Sequence, residues 1–228
     1  MERVTVILQR LGKWGPHRKA GFVQLFVSKR LIHGLAAAMM GMFLPIFLFE
    51  VSGGKFWFVA AFFAAASIGY VLLLFWGMKL TNLIGFSRAL ALSALFGVGQ
   101  FAVLYHMDET NYLTFLIPLI VVVTLFRVFH WVPYHVDFTA FTKGGERGRD
   151  VSLMFATIAF MGVLGPVLAG YIIEHSGYSV LFGLGLALMV AAGISYLFVP
   201  SIEEHFTWSF SETWHHFFSE RFRNVVVG

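Results

Sequence analysis

Residues 56–78 read FWFVAAFFAAASIGYVLLLFWGM, a run without a single charged side chain. As a helix rising about 1.5 Å per residue it reaches roughly 35 Å, enough to cross a hydrocarbon core of about 30 Å. Further uncharged stretches flank it: Leu31–Phe49, Ala89–Tyr105, Leu113–Phe126 with an extension past Arg127, Val151–Ile173 and Tyr178–Val199. The loops between them are short. Each run is apolar on every face, whereas a transmembrane barrel alternates apolar and polar positions. Lipid offers the backbone no partners, so helices remain as the spanning element. The expected fold is all-α: a polytopic membrane protein with six transmembrane helices and the lipid bilayer as its first partner.

Composition agrees. Charged residues are 12% of the chain and hydrophobic ones 58%, where a soluble domain carries about 25% charged residues. The chain has no cysteine, which excludes disulfides, thiolate metal sites and cysteine nucleophiles. Its net charge of +4 follows topology rather than a nucleic acid partner. Arg3, Arg10, Lys13, Arg18, Lys19, Lys29 and Arg30 precede the first run. Lys79, Arg88, Lys143, Arg147, Arg149, Arg221 and Arg223 fall in alternate loops and at the end of the chain. The opposite loops hold Lys55 with Glu50, Asp108, Glu109 and Glu174. This positive-inside asymmetry puts both termini in the cytoplasm, and a bacterial inner membrane is the expected setting. No small-residue cleavage site follows the first run, so no cleavable signal peptide is expected.

The chain divides into a cytoplasmic amphipathic segment (1–28), the six-helix bundle (29–199) and a cytoplasmic interfacial helix or linker (200–228). Val4, Ile7, Leu8 and Leu11 share one helical face in the first part. In the last, Ser201 and Glu204 form a capping box ahead of Phe206, Phe210 and Trp214. Within the bundle, small residues recur four apart, which lets helix backbones approach closely in lipid. Gly162, Gly165, Pro166 and Gly170 are the expected packing positions of span five, with a bend at Gly165-Pro166. Pro45 and Pro118 predict kinks in spans one and four.

Span four breaks the membrane pattern. Arg127, His130, Tyr134 and Asp137 lie at i, i+3, i+7 and i+10, one polar stripe on a helix. A charge deep in lipid costs at least about 2.5 kcal/mol, so the stripe should face protein or a wet cavity. Arg127, His130, Trp131 and Tyr134 are therefore the expected contacts to a small-molecule solute, with the histidines and Asp137 suited to proton exchange. A stripe ending near Pro133 is the plainer alternative for His135 and Asp137. His33, in the first turn of span one, and Gln100, late in span three, are the other polar positions of the spans. His130 and His135 lack the further histidine boxes a membrane metal centre needs. No phosphate loop, nucleophile elbow or paired intramembrane carboxylates occur. No catalytic residue, metal or cofactor is expected.

Three places carry a resemblance to the amino-terminal half of a major facilitator superfamily transporter. Lys79-Leu-Thr-Asn82-Leu-Ile-Gly85-Phe-Ser-Arg88 is similar to that family's loop between spans two and three, with Asn82 at its usual Asp and Met78 at its first Gly. Glu146-Arg147-Gly148-Arg149 resembles its Glu-Arg-Gly-Arg loop, and Gly165-Pro166 with Gly170 its span-five motif. Gly177-Tyr178 through Phe182 is similar to its entry into span six. Arg127 lies nearer the cytoplasmic loop than the family's span-four arginine. The resemblance implies two inverted three-helix repeats forming half of the fold, with the solute near the midplane between halves. The other wall would come from a carboxy-terminal half or a second copy of the chain. Asn82, Gly85 and Arg88, with Glu146 and Arg147, would form a cytoplasmic gate. The expected function is secondary active transport by alternating access. The runner-up is a membrane scaffold or assembly subunit that keeps the fold.

Overall fold

The computed structural model describes residues 21–142 and 147–199, without the side chains of Arg30, Leu31 and Arg147. Residues 1–20 of the expected amino-terminal segment, the expected segment 200–228 and Glu146 lie outside the described residues, whereas residues 21–28 belong to the first helix. Among the described residues every regular element is a helix: α1 (Gly21–Gly41), α2 (Phe43–Val51), α3 (Phe56–Ile84), α4 (Phe86–His106), α5 (Tyr112–Phe141) and α6 (Arg147–Tyr196).

The apolar runs do not map one to one onto helices. Four of these helices are each long and apolar enough to cross a membrane, and α1 with α2 makes a fifth if the pair counts as one bent span. The bend is 43° and falls at Met42. Pro45 explains its place, because the proline ring collides with the carbonyl four residues back, at Gly41, and withdraws one ladder bond. By contrast α5 stays helical through Pro118 and Pro133. It runs on to Phe141, so Tyr134 and Asp137 sit inside the helix and are buried.

The fifth and sixth runs are joined in α6. A straight helix of its 50 residues would extend about 75 Å, more than twice the hydrocarbon core. It is not straight: Gly177 has φ 79° and ψ 173°, a conformation that a residue with a Cβ rarely adopts. Helical backbone continues through Pro166, and Gly177 is the one non-helical position within the element. The two arms pack on different partners. A Cβ at Gly165 would lie 2.5 Å from Ala38 Cβ on α1, whereas Gly185 and Gly193 abut Phe101 and Ala94 on α4. Gly85 makes the other tight connection, a single residue at φ 90° between α3 and α4.

Bulky side chains such as Val71, Leu72, Trp76, Phe155 and Val163 are exposed on the outside of the bundle, as a lipid-facing surface requires. Inside are two main apolar clusters. One holds Ala36, Met39, Phe58, Phe62, Phe101, Leu119 and Phe182. The other holds Leu25, Leu90, Tyr134, Met154 and Tyr196. Along α1 the polar residues Ser28, Lys29 and His33 fall between Leu25 of the second cluster and Ala36 of the first. Along α5, His130 falls between Leu119 and Tyr134 in the same way. A buried polar layer therefore separates two apolar ones.

The α4–α5 connection is held by its own side chains. Asp108 Oδ1 accepts from the Thr110 hydroxyl (2.6 Å), the Thr110 amide (2.7 Å) and the Asn111 amide (3.2 Å). The Thr110 hydroxyl, then the amides, hold the Asp108 carboxyl below the ordinary value. A depressed folded pKa means the loop's stabilisation is complete above the unfolded pKa of about 4 and is lost as pH falls through the lower folded value. Pepsin cleavage between Tyr105 and Leu113 is expected to rise as pH drops from about 4 toward 2, and to be raised already at pH about 4 in Asp108→Ala. Equal cleavage of both proteins across that range would show that these bonds do not hold the loop.

Candidate functional site

The polar stripe of α5 does not meet a single environment. His130 and Asp137 are wholly buried and Tyr134 nearly so, whereas Trp131 is 42% exposed. Arg127 turns to α3, donating to Ser67 Oγ at 3.3 Å and lying 5.0 Å over the Tyr70 ring. It serves the α3–α5 seam, where Gly69 also abuts Thr124 and Gly77 abuts Val128. His135 is exposed and stacks on Trp131, away from His130. Among the described residues no three His, Cys, Asp or Glu side chains gather as a metal site would need.

His130 is the centre of the layer. The i, i+4 repeat of α5 stacks Phe126, His130, Tyr134 and Phe138 with centroids 5.0, 6.0 and 6.1 Å apart. From α1, His33 stacks on His130 at 4.4 Å. From α4, Ser93 Oγ lies 3.2 Å from His130 Nδ1. Lys29 Nζ meets His130 Nε2. Lys29 is only 5% exposed, and its ammonium also lies 5.1 Å from the Trp131 ring and 5.2 Å from that of Tyr134. Such contacts between a cation and ring faces are favourable. Lys29 and His33 lie in the π-helical turn Val27–His33, a distortion frequent at functional sites.

Beside this cluster, α1, α5 and α6 enclose an open cleft of about 280 Å³, lined by Lys29, His33, Trp131 and Thr157 among small and apolar residues. Ser28, Gln24 and Ser195 fasten α1 to the far end of α6 through hydrogen bonds of 2.7–3.1 Å. Tyr134 and His135 border a smaller hollow of about 100 Å³ beside Met154.

Of the positions expected to touch solute, Trp131 lines the larger cleft, His130 and Tyr134 stand behind it, and Arg127 is elsewhere. Lys29 is the residue that sequence reasoning passed over. It was counted with the cytoplasmic charges, yet the chain is already helical at Gly21, and Lys29 lies about 12 Å further along the helix. The apolar run Phe22, Val23, Leu25 and Phe26 ahead of Lys29 was the available signal.

Of the gate positions, Asn82 is half-buried, Arg88 exposed, and Gly85 takes the φ 90° turn. Glu146 and the Arg147 side chain fall outside the described residues. Of the span-five positions, Gly165 is buried against α1, Gly170 makes ordinary contact with Phe43, and a Cβ on Gly162 would meet open space. Pro166 is half-buried within the continuous helix.

The family model described as Major Facilitator Superfamily matches residues 16–227. No curated protein matches the chain significantly, nor does any solved structure.

Proposed function

Since the chain belongs to the Major Facilitator Superfamily, a family of membrane transporters, we propose that it supplies one six-span half of a secondary transporter. In this reading α1 with α2 is the first crossing, α3 to α5 are the next three, and the arms of α6 on either side of Gly177 are the last two. They form two inverted three-helix repeats with both termini cytoplasmic. A carboxy-terminal half or a second copy supplies the opposite wall, and rocking between the walls gives alternating access. The observation that carries the reading is the cleft between α1, α5 and α6. A lysine and a histidine line it among small and apolar residues, in a bundle that exposes many bulky apolar side chains elsewhere. Trp131, Lys29 and His33 face the solute, with His130 and Tyr134 behind them. Asn82, Gly85 and Arg88, with Glu146 and Arg147, form the cytoplasmic gate.

The test is flux in proteoliposomes holding the full chain, against a panel of labelled neutral, anionic and cationic small solutes. At least one should cross faster than in protein-free liposomes, and Trp131→Ala should slow that flux about tenfold, the loss of one good aromatic contact. The complete packing of His130, Tyr134 and Asp137 favours a second reading, a scaffold that kept the fold. Fluxes equal to protein-free liposomes across the panel would select it. Topology is tested separately. Asp108→Cys is expected to react with an impermeant thiol reagent from outside the cell, and Gly145→Cys only from inside. The reverse pattern would overturn the orientation.

A further inference from the structure

The face of α3 turned away from the bundle is apolar for about four turns and carries one cation. Gly69 and Gly77 mark the inner face, where a Cβ would press on Thr124 and Val128 of α5. Lys79 stands about 200° round the helix from Gly77, on the side away from α5, and is exposed. Ile68, Leu72 and Phe75 lead up to it on that side, and Leu83 follows it one turn later, all four exposed. The ammonium bends back along the helix, 4.4 Å over the Phe75 ring and 5.1 Å over that of Trp76, the direction in which a helical Cβ points. Among the described residues no carboxylate lies within ion-pair distance of it.

That ammonium sits at a membrane boundary. Phe75 and Trp76 lie about 30 Å along α3 from Phe56, the thickness of a hydrocarbon core. With Phe56 at one boundary, the ammonium falls at the other, where acyl chains give way to ester and phosphate groups. We infer that Lys79 and Trp76 form a seat for the headgroup phosphate of an anionic phospholipid, whose acyl chains lie along Ile68, Leu72 and Phe75. In the orientation proposed above this is the cytoplasmic leaflet. The inference rests on the membrane fold and not on solute transport.

The order of groups on the strip selects the occupant. A phospholipid offers apolar chains and then a negative phosphate, the sequence that Ile68, Leu72, Phe75 and Lys79 match. A protein surface laid over the same strip would bury the ammonium, which is strongly unfavourable unless that surface brings a carboxylate. The two rings hold the ammonium in place through their negative faces, which leaves its other side to an anion. Trp76 is 66% exposed, and its indole N–H is a donor suited to a phosphate or ester oxygen. An anionic headgroup is favoured over a zwitterionic one because the latter adds a second cation beside Lys79, where no carboxylate of the described residues receives it.

Trp76 reports on the seat directly. The full chain is reconstituted in phosphatidylcholine liposomes, and part of the lipid is replaced by phosphatidylglycerol or phosphatidylcholine with brominated acyl chains, which quench nearby indoles. The chain has six tryptophans, so the emission lost in Trp76→Phe isolates the Trp76 signal. Brominated phosphatidylglycerol should half-quench it at about one-fifth of the mole fraction that brominated phosphatidylcholine needs, the factor equivalent to one lysine at an anionic surface. Lys79→Arg should keep that preference and Lys79→Gln should erase it, whereas Lys55→Gln, at the other end of α3, should leave it unchanged. Lys79 and Trp76 are both exposed, so these changes leave the core intact. Equal quenching by the two lipids in the wild type, or a preference that survives Lys79→Gln, would overturn the inference. So would a Trp76 that neither lipid quenches, the result of another protein surface covering the strip. Loss of the preference on adding soluble glycerol 3-phosphate would reject the lipid in favour of a free phosphate. Solute flux is read separately, so the transporter reading stands or falls apart from this result.

Discussion

Gly165→Ala is expected to destabilise the folded chain by about 2 kcal/mol, and Gly165→Leu to abolish its folded yield. Two effects oppose each other at this position. Replacing a helix-interior glycine by alanine gains up to about 1 kcal/mol of helix propensity. Forcing a methyl group into a filled contact costs about 1–3 kcal/mol. The second wins because of what is in the way. The new Cβ would lie 2.7 Å from the Ala38 carbonyl carbon and 2.9 Å from the Met39 nitrogen, backbone atoms that cannot rotate aside. Relief requires α1 to move, and α1 carries Lys29 and His33. Gly97 is a milder case, since its near neighbour is the Met189 sulfur at 3.0 Å, the far end of a flexible side chain. Gly162 is the internal control three residues away on the same arm. Open space surrounds its Cβ position, so Gly162→Ala should be neutral or slightly stabilising. Thermal unfolding in detergent, followed by size-exclusion fluorescence, measures all three. Equal tolerance at Gly165 and Gly162 would show that α1 and the first arm of α6 do not pack as described.

His130→Leu is expected to cost about 3 kcal/mol, the range found when one partner of a buried polar pair is removed. Leucine fills similar space but removes the Nε2 acceptor from a Lys29 ammonium that is only 5% exposed. It also removes the Nδ1 contact to Ser93 Oγ. The double variant Lys29→Met with His130→Leu should recover most of the loss, because replacing both partners with apolar side chains removes the desolvation penalty along with the bond. A denaturant or thermal double-mutant cycle reads the coupling directly. Additive single effects would mean that Lys29 and His130 do not interact in the membrane.

Much of this architecture was legible in the sequence because lipid imposes a simple rule. Every backbone group in the hydrocarbon must bond within its own segment, so length and apolar character nearly suffice to find a crossing. Residues 56–78 needed nothing more. The α5 stripe was legible for a related reason, since polar groups at one helical period in an apolar run need a protected face. Other features depend on a partner's shape, which no local pattern encodes. Gly77 and Gly185 approach Val128 and Phe101 closely, yet neither belongs to the four-residue small-residue repeats. The wrong environment for Arg127 has the same origin. Its spacing placed it on the stripe, but its length lets the guanidinium reach sideways to Ser67 and Tyr70 on α3. Lys29 was missed because the positive-inside rule assigns sides to charges and says nothing of where a helix begins. Read as a loop charge, it is one among many; read as a residue inside α1, it is a buried cation.

The central claim is that the face of α6 toward α1 and α5 borders a wet cleft while its opposite face meets lipid. The chain contains no cysteine, so single-cysteine variants have no native background. Gly162 lines the cleft, and Phe160 lies about 160° around the same helix at nearly the same depth. In membranes holding the full chain, Gly162→Cys should react quickly with a water-soluble methanethiosulfonate reagent and Phe160→Cys only slowly. If both are slow, or Phe160→Cys is the faster, the cleft is not a water-filled site and the account is contradicted.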